Sequence, residues 1–277
     1  MNETSANEAQ REFWNGAAGD VWVEAQIQMD AMLKPISDLG LAKAAATSAE
    51  RVIDIGCGCG DTTLALAEAG ASVWGLDISE NMLAHAKARK GGRENVAFSV
   101  GDAATQAYTP DHDLVFSRFG VMFFDDPKAA FQNIRTGLKP DGRLVFLCWQ
   151  SPKENLWMSV AGRAARPFLP PPEQSDPRAP GPFAFADPEW IKEILDAAGY
   201  SNINIESVTP DLKVGDTVED AMYFQGRIGP MARALADLDE DKRAQAMQAV
   251  RDALSEYQSD KGIWIKSAGW LVSATNT

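Results

Sequence analysis

Short apolar runs separated by stretches of helical spacing dominate residues 51 to 150. "RVIDI" and "SVWGLD" read as strands, and "NVAFSV", "DLVFS" and "GRLVFLCW" follow at intervals that leave room for a helix between each. Strands of this kind belong to a parallel sheet covered on both faces. The polar residues punctuate the same pattern. Ser79 is placed to cap "ENMLAHAKARK", which Gly91 and Gly92 stop, and "DPKAAFQNIRTGL" starts after Asp125 and Asp126 with Pro127 in its first turn. In that helix Ala130, Phe131 and Ile134 fall at helical spacing and should face the sheet. "KPDG", residues 139–142, is a turn signal leading into the next strand.

Outside this stretch the pattern changes three times. Residues 1–48 look like a helical cover, with Met29, Met32 and Leu33 on one face. Residues 167–182 hold seven of the fifteen prolines and should form an irregular crossing loop. Residues 217–260 are acidic and helical, between the strand candidates "NINIESV" and "GIWIKSAGWLVSA", which makes 210–262 a helical lid insertion before the last strand. Its acids, among them Asp237, Asp239, Glu240 and Asp241, read as a solvated helix face and cap.

Composition narrows the classes. With 277 residues, 45% of them hydrophobic, the chain can bury the core of one large α/β domain, with residues 51–150 as its centre. It has no apolar run of about 18 residues, so no membrane span is expected. The polar, acidic start "MNETSANEAQREF" is unlike a secretory signal, and three cysteines offer no disulfide framework; both point to a cytoplasmic protein. The net charge of −13 disfavours a nucleic-acid partner, whose phosphates need Lys and Arg. Lys87, Arg89, Lys90 and Arg93 form a small basic group that suits the C-terminal end of a helix.

The candidate chemistry lies in "RVIDIGCGCGDTTLALAEAG", residues 51–70, where Cys57 and Cys59 alternate with Gly56, Gly58 and Gly60. A zinc site needs about four ligands in other spacings, and Cys148, His85 and His112 are the only other Cys and His residues. A glycine turn between a strand and a helix explains more, since it brings backbone close to a ligand at the helix N-terminus. A dinucleotide fingerprint would require glycine at position 61, which is Asp61 here. Asp54, two residues before Gly56, would repel a pyrophosphate and attract an ammonium group. Asp77 ends the second strand about 20 residues after the first glycine, where a carboxylate can accept ribose hydroxyls. Asp102, after the third strand, lies on the same edge and could reach an adenine amino group.

"VIDIGCGCGDTT", "GLDISENML", "GDAAT", "DLVFSRFGVMFFDDP" and "LKPDGRLVFLCWQ" together resemble the class I S-adenosylmethionine-dependent methyltransferases, in particular the branch of the ubiquinone and menaquinone C-methyltransferases. The resemblance implies a doubly wound, Rossmann-like α/β fold with a mostly parallel seven-stranded sheet and a terminal antiparallel strand. It implies S-adenosyl-L-methionine as cofactor and S-adenosyl-L-homocysteine as product. By similarity, Asp54 and the turn of Gly56, Cys57, Gly58 and Gly60 hold the methionine end, and Asp77 takes the ribose. Ile78 and Met82 pack on the adenine with Asp102, Ala103 and Ala104, while Ser117, Arg118 and Phe119 line the methyl-transfer face. Arg118 has three candidate partners: the cofactor carboxylate, a substrate acid, or Asp125.

Methyl transfer from a sulfonium needs positioning and desolvation more than a dedicated base, so no catalytic residue is named. Aromatic side chains are the candidates for the acceptor pocket: Trp14 and Trp22 in the N-terminal segment, Phe123 after the fourth strand, and Tyr223 and Phe224 in the insertion, with Gln150 and Arg227 as polar contacts. The expected partner is a small-molecule methyl acceptor whose accepting atom is carbon, oxygen or nitrogen. Two other readings stand beside it: a protein that holds the cofactor without catalysis, and a nicotinamide-dependent oxidoreductase.

Overall fold

The computed structural model describes residues 7–170, 176–225, 235 and 238–277. Three helices come first: α1 (Glu8–Trp14), α2 (Ala17–Glu24) and α3 (Gln26–Ala44). Strand and helix then alternate through β1 (Arg51–Ile55), α4 (Asp61–Glu68), β2 (Ser72–Asp77), α5 (Glu80–Lys90) and β3 (Val96–Val100). The chain returns through β4 (His112–Arg118), α6 (Pro127–Arg135), β5 (Leu138–Trp149), α7 (Leu156–Ala165) and α8 (Pro188–Ala197). Last come β6 (Ser201–Val208), β7 (Asp211–Gly215), α9 (Val218–Gln225), α10 (Glu240–Ser255), β8 (Gln258–Ser259), β9 (Gly262–Lys266) and β10 (Gly269–Thr275).

Among the described residues the strands form a seven-stranded sheet in the order β3-β2-β1-β4-β5-β10-β6 and a three-stranded sheet in the order β7-β9-β8. Strands β1 to β5 pair in parallel, and β10 runs antiparallel between β5 and β6. The order reverses between β1 and β4, and ligands of open α/β sheets bind in the crevice at such a reversal. Both strands are buried along nearly their whole length, with Val52, Ile53, Leu114, Val115 and Phe116 in the core.

The expected punctuation holds where it is local. Ser79 caps α5 by accepting from the Met82 N–H (3.3 Å), and Asp126 caps α6 by accepting from the Ala129 N–H (3.0 Å). α6 buries Ala130, Phe131 and Ile134, and the Phe131 ring lies 5.5 Å from that of Phe146 on β5. Burying one such ring contributes about 1.5–3 kcal/mol. Residues 139–142, expected as a turn before the strand, instead lie inside β5 as an irregularity: His112 pairs with Leu138 but Leu114 with Arg143, and Asp141 takes a φ of 63°.

Two further expectations need correction. No helix joins β3 to β4, because residues 101–111 are held as a loop by Asp102, which accepts from the Ala104 N–H, and by Tyr108, which donates to the Ala103 carbonyl. Tyr108 then lies edge-on against Trp74 of β2, on the sheet itself. The stretch "GIWIKSAGWLVSA" is two strands: β9 joins the small sheet and β10 the large one. The break is pinned by Ser267, whose N–H and hydroxyl both donate to the Pro210 carbonyl, and by the Ala268 N–H, which donates to Asn155 Oδ1.

Candidate functional site

The carboxyl ends of β1 to β4 share one edge of the sheet, and the glycine turn crosses it. Gly56, Gly58 and Gly60 have φ angles of 65°, 53° and 84°, a region side chains rarely adopt. At Gly56 the contact is also steric: a Cβ there would stand 2.5 Å from Gly120 Cα, in the loop after β4. Two loops therefore meet backbone to backbone at the strand-order reversal. At Gly58 a Cβ would meet only Met82 Sδ at 3.7 Å and Trp22 Nε1 at 4.0 Å, so there the demand is conformational.

Three carboxylates line this edge. Asp54 is fully buried; its Oδ2 accepts from Thr62 Oγ1 (2.8 Å) and Thr63 Oγ1 (2.6 Å), while its Oδ1 has no hydrogen-bond partner. Burial raises its pKa to about 6, against the two threonine hydroxyls and Arg118, which favour the charged form. A buried carboxylate oxygen left without a partner is costly, and a cationic donor would satisfy it. The ammonium group of the cofactor implied by resemblance fits that need. Asp77 accepts from the Gly58 N–H (2.7 Å) through one oxygen and from the Ser79 N–H (2.8 Å) through the other. Burial raises its pKa as well, opposed by these backbone donors. Its carboxylate thus fixes the glycine turn to the end of β2, beside Ile78 and the buried Met82. Asp102, after β3, is buried next to Ala103 and Ala104, and both its oxygens accept from Asn7 Nδ2 at 2.9 Å.

After β4, Ser117 donates to the Ile55 carbonyl (2.8 Å) and accepts from the Gly120 N–H, so its hydroxyl ties the two loops together. Arg118 does not pair with Asp125, the one protein partner expected for it. It donates to Asp61 Oδ2 (2.7 Å) and Ser37 Oγ (2.8 Å), with Asp30 at 3.9 Å, whereas Asp125 is held by Asn7. The geometric reason is that Arg118 ends its strand facing α3 and the first turn of α4. Arg89 completes the cluster, donating to the Cys59 carbonyl (2.7 Å) and pairing with Asp30 (2.9 Å). This network bolts α3 to the glycine turn. Phe119 adopts a φ of 64° and stacks on Trp149 with 3.9 Å between ring centroids.

The aromatic candidates divide. Trp14 packs edge-on against both Trp22 (6.0 Å) and Phe123 (5.2 Å), forming a wall beside Gly58. Tyr223 is exposed and lines a separate cavity of about 430 Å³ with Val21, Ala25, Met32 and Val214. Gln150 donates to Ser207 Oγ (2.7 Å) and the Gly269 carbonyl (3.0 Å), where it joins β5 to the end of the sheet. The Phe224 side chain, Arg227 and Asp237 lie outside the described residues.

The thiols are buried and held neutral: burial pushes Cys57 and Cys148 well above the usual thiol range and Cys59 up to about 12. No metal-binding group of three or more His, Cys, Asp or Glu exists among the described residues. Both histidines have structural contacts, His85 with Gln26 and His112 with the Gly137 carbonyl at the amino end of β4.

Sequence reasoning missed Asn7, Asn15, Asp61 and Gly120. Gly120 carried a signal, a glycine three residues beyond the predicted strand end at Ser117. Asn15 carried none, yet it clasps the loop after β2, donating to the Ile78 carbonyl (3.0 Å) and accepting from the Glu80 N–H (2.8 Å).

A family described as a methyltransferase domain matches residues 53–146. Demethylmenaquinone methyltransferase of Staphylococcus aureus is 28% identical over 189 residues, which are 63% of this chain and 75% of that protein. Among solved structures, magnesium protoporphyrin IX methyltransferase of Synechocystis PCC 6803 superposes with a TM-score of 0.58 at 16% identity, covering 97% of this chain and 99% of that one. The YcgJ protein of Bacillus subtilis does so with a TM-score of 0.57 at 19% identity, covering 86% and 97%. At these identities the two structures establish a shared Rossmann-like α/β fold.

Proposed function

We propose that the chain is a class I S-adenosylmethionine-dependent methyltransferase that delivers the methyl group to a small organic acceptor bound beneath the wall formed by Trp14, Trp22 and Phe123. That wall, set against the glycine turn, carries the proposal. It offers flat apolar surface to an acceptor and π faces to a sulfonium.

Bound S-adenosylmethionine supplies an electrophilic methyl on a good leaving group; the residues of the chain bind and orient. Asp54 Oδ1 and the Gly56 to Gly60 turn would hold the amino-acid end, Asp77 the ribose, and Asp102 with Ile78, Met82, Ala103 and Ala104 the adenine. Ser117 keeps the Gly120 loop against the turn, so the floor of the site is fixed before any ligand arrives. The two histidines are engaged elsewhere, and the buried thiols are protonated, so this reading assigns catalysis to alignment and exclusion of water. Demethylmenaquinone, the acceptor named for the Staphylococcus relative, is one trial compound.

The test is transfer of labelled methyl from S-adenosylmethionine to a panel of quinols, phenols and amines. Turnover of at least one, lowered by Trp14→Ala at unchanged S-adenosylhomocysteine affinity, supports the reading. Turnover that ignores both Trp14→Ala and Phe123→Ala would place the acceptor elsewhere.

A further inference from the structure

The N-terminal segment is fastened across the cofactor edge by two asparagines, and they do different things. Asn15 engages main-chain groups of Ile78 and Glu80, which leaves the Asp77 carboxylate untouched. Asn7 engages Asp102 itself. Its Nδ2 donates to both carboxylate oxygens, its Oδ1 accepts from the Asp125 N–H (2.8 Å), and its own N–H donates to Asp125 Oδ2 (2.8 Å). The residue is 3% exposed and sits at a φ of 62°, so the clasp holds a side chain and a left-handed backbone together. With the Arg11 N–H donating to its carbonyl (2.9 Å), five hydrogen bonds converge on Asn7.

A carboxamide presents a donor beside an acceptor, and so does the edge of adenine, where the exocyclic amino group adjoins a ring nitrogen. In this chain the donor half of that pair rests on the carboxylate that the adenine amino group would use. Resting on the cofactor reading given above, we infer that Asn7 is an internal surrogate for the adenine edge: its carboxamide and the cofactor compete for Asp102, and adenine binding requires the start of the N-terminal segment to let go. The Asn15 clasp and the Ser79 hydroxyl, which donates to the Trp14 carbonyl (2.8 Å), hold the segment on the far side of that release point. Asn7 thereby sets the rate at which the adenine site opens, and an adenine ligand frees residues 7–14.

Titration of the full chain with S-adenosylhomocysteine tests this. Asn7→Ala removes the competing amide, and Asn7→Asp adds a charge that Asp102 repels. Each variant should bind about tenfold tighter than the unmodified protein, with the gain in the association rate, as expected for loss of one charge-assisted hydrogen bond. Hydrogen exchange gives a second readout: in the unmodified protein, amides of residues 8–14 should exchange faster once S-adenosylhomocysteine is bound. Equal or weaker binding by both variants overturns the surrogate role while leaving the cofactor assignment intact. Binding by none of the three proteins removes the cofactor reading, and this inference with it.

Discussion

Replacing Asp54 by Asn should change stability and binding in opposite directions. The carboxylate is fully buried, with one oxygen on two threonine hydroxyls and the other without a partner. Its pKa is raised from 3.8 to about 6, so between these values the folded protein holds a proton that the unfolded chain releases. Stability therefore falls as pH rises through that window, and the full cost is present above pH 6. A difference of this size corresponds to about 3 kcal/mol, of which about 2–3 kcal/mol should develop between about pH 4 and pH 8. Asn keeps the shape and still accepts from both threonines, but it does not titrate. Urea unfolding of both proteins across that range should show the variant gaining on the unmodified protein by this amount as pH rises. S-adenosylhomocysteine affinity should move the other way. In the unmodified protein it should climb through pH 6 as Asp54 ionises to meet the ammonium group, and in the Asp54→Asn variant it should be weak and insensitive to that ionisation. Parallel stability curves for the two proteins, or equal affinity for the ligand, would refute the buried-charge account of this position.

Three further outcomes follow from the same geometry. Asp77→Ala removes the acceptor for the Gly58 and Ser79 N–H groups as well as the proposed ribose contact, so calorimetry should show S-adenosylhomocysteine binding at least tenfold weaker, the loss of charge-assisted hydrogen bonds worth about 1.5–3 kcal/mol. Arg118→Met leaves Asp30 and Asp61 facing each other without their shared cation; a loss of about 3 kcal/mol in urea unfolding is expected, and Arg118→Lys should restore part of it. Cys57, Cys59 and Cys148 should react with a thiol-specific disulfide reagent only as fast as the native protein unfolds; rapid labelling of any of them in native buffer would contradict their burial.

What was legible in the chain was local. The strand, glycine turn and helix from Arg51 to Glu68 follow from neighbouring residues, as do the caps at Ser79 and Asp126 and the buried face of α6. The illegible parts depend on contacts between distant positions. Asn7 reaches Asp102 across 95 residues, and nothing near either residue announces it. Arg118 lies seven residues from Asp125 but pairs with Asp61, 57 residues away, because a strand end projects its side chain toward what packs beside it. The last apolar stretch reads as one strand, since "GIWIK" and "GWLVSA" share composition. Hydrogen bonds from distant residues, Ser267 to Pro210 and Ala268 to Asn155 among them, divide it between two sheets. Tyr108 packs on Trp74 beside the loop that stands where a helix was expected, and a single aromatic residue gives no periodicity from which to foresee that.

The most direct measurement is calorimetric titration of the purified protein with S-adenosylhomocysteine, using NAD as the control ligand. Micromolar binding of the first and none of the second is the predicted result, since the turn at Gly56 to Gly60 follows Asp54 and donates to Asp77, so that a pyrophosphate would meet two carboxylates. Binding of NAD, or of neither ligand, would contradict the assignment of this edge to a sulfonium cofactor.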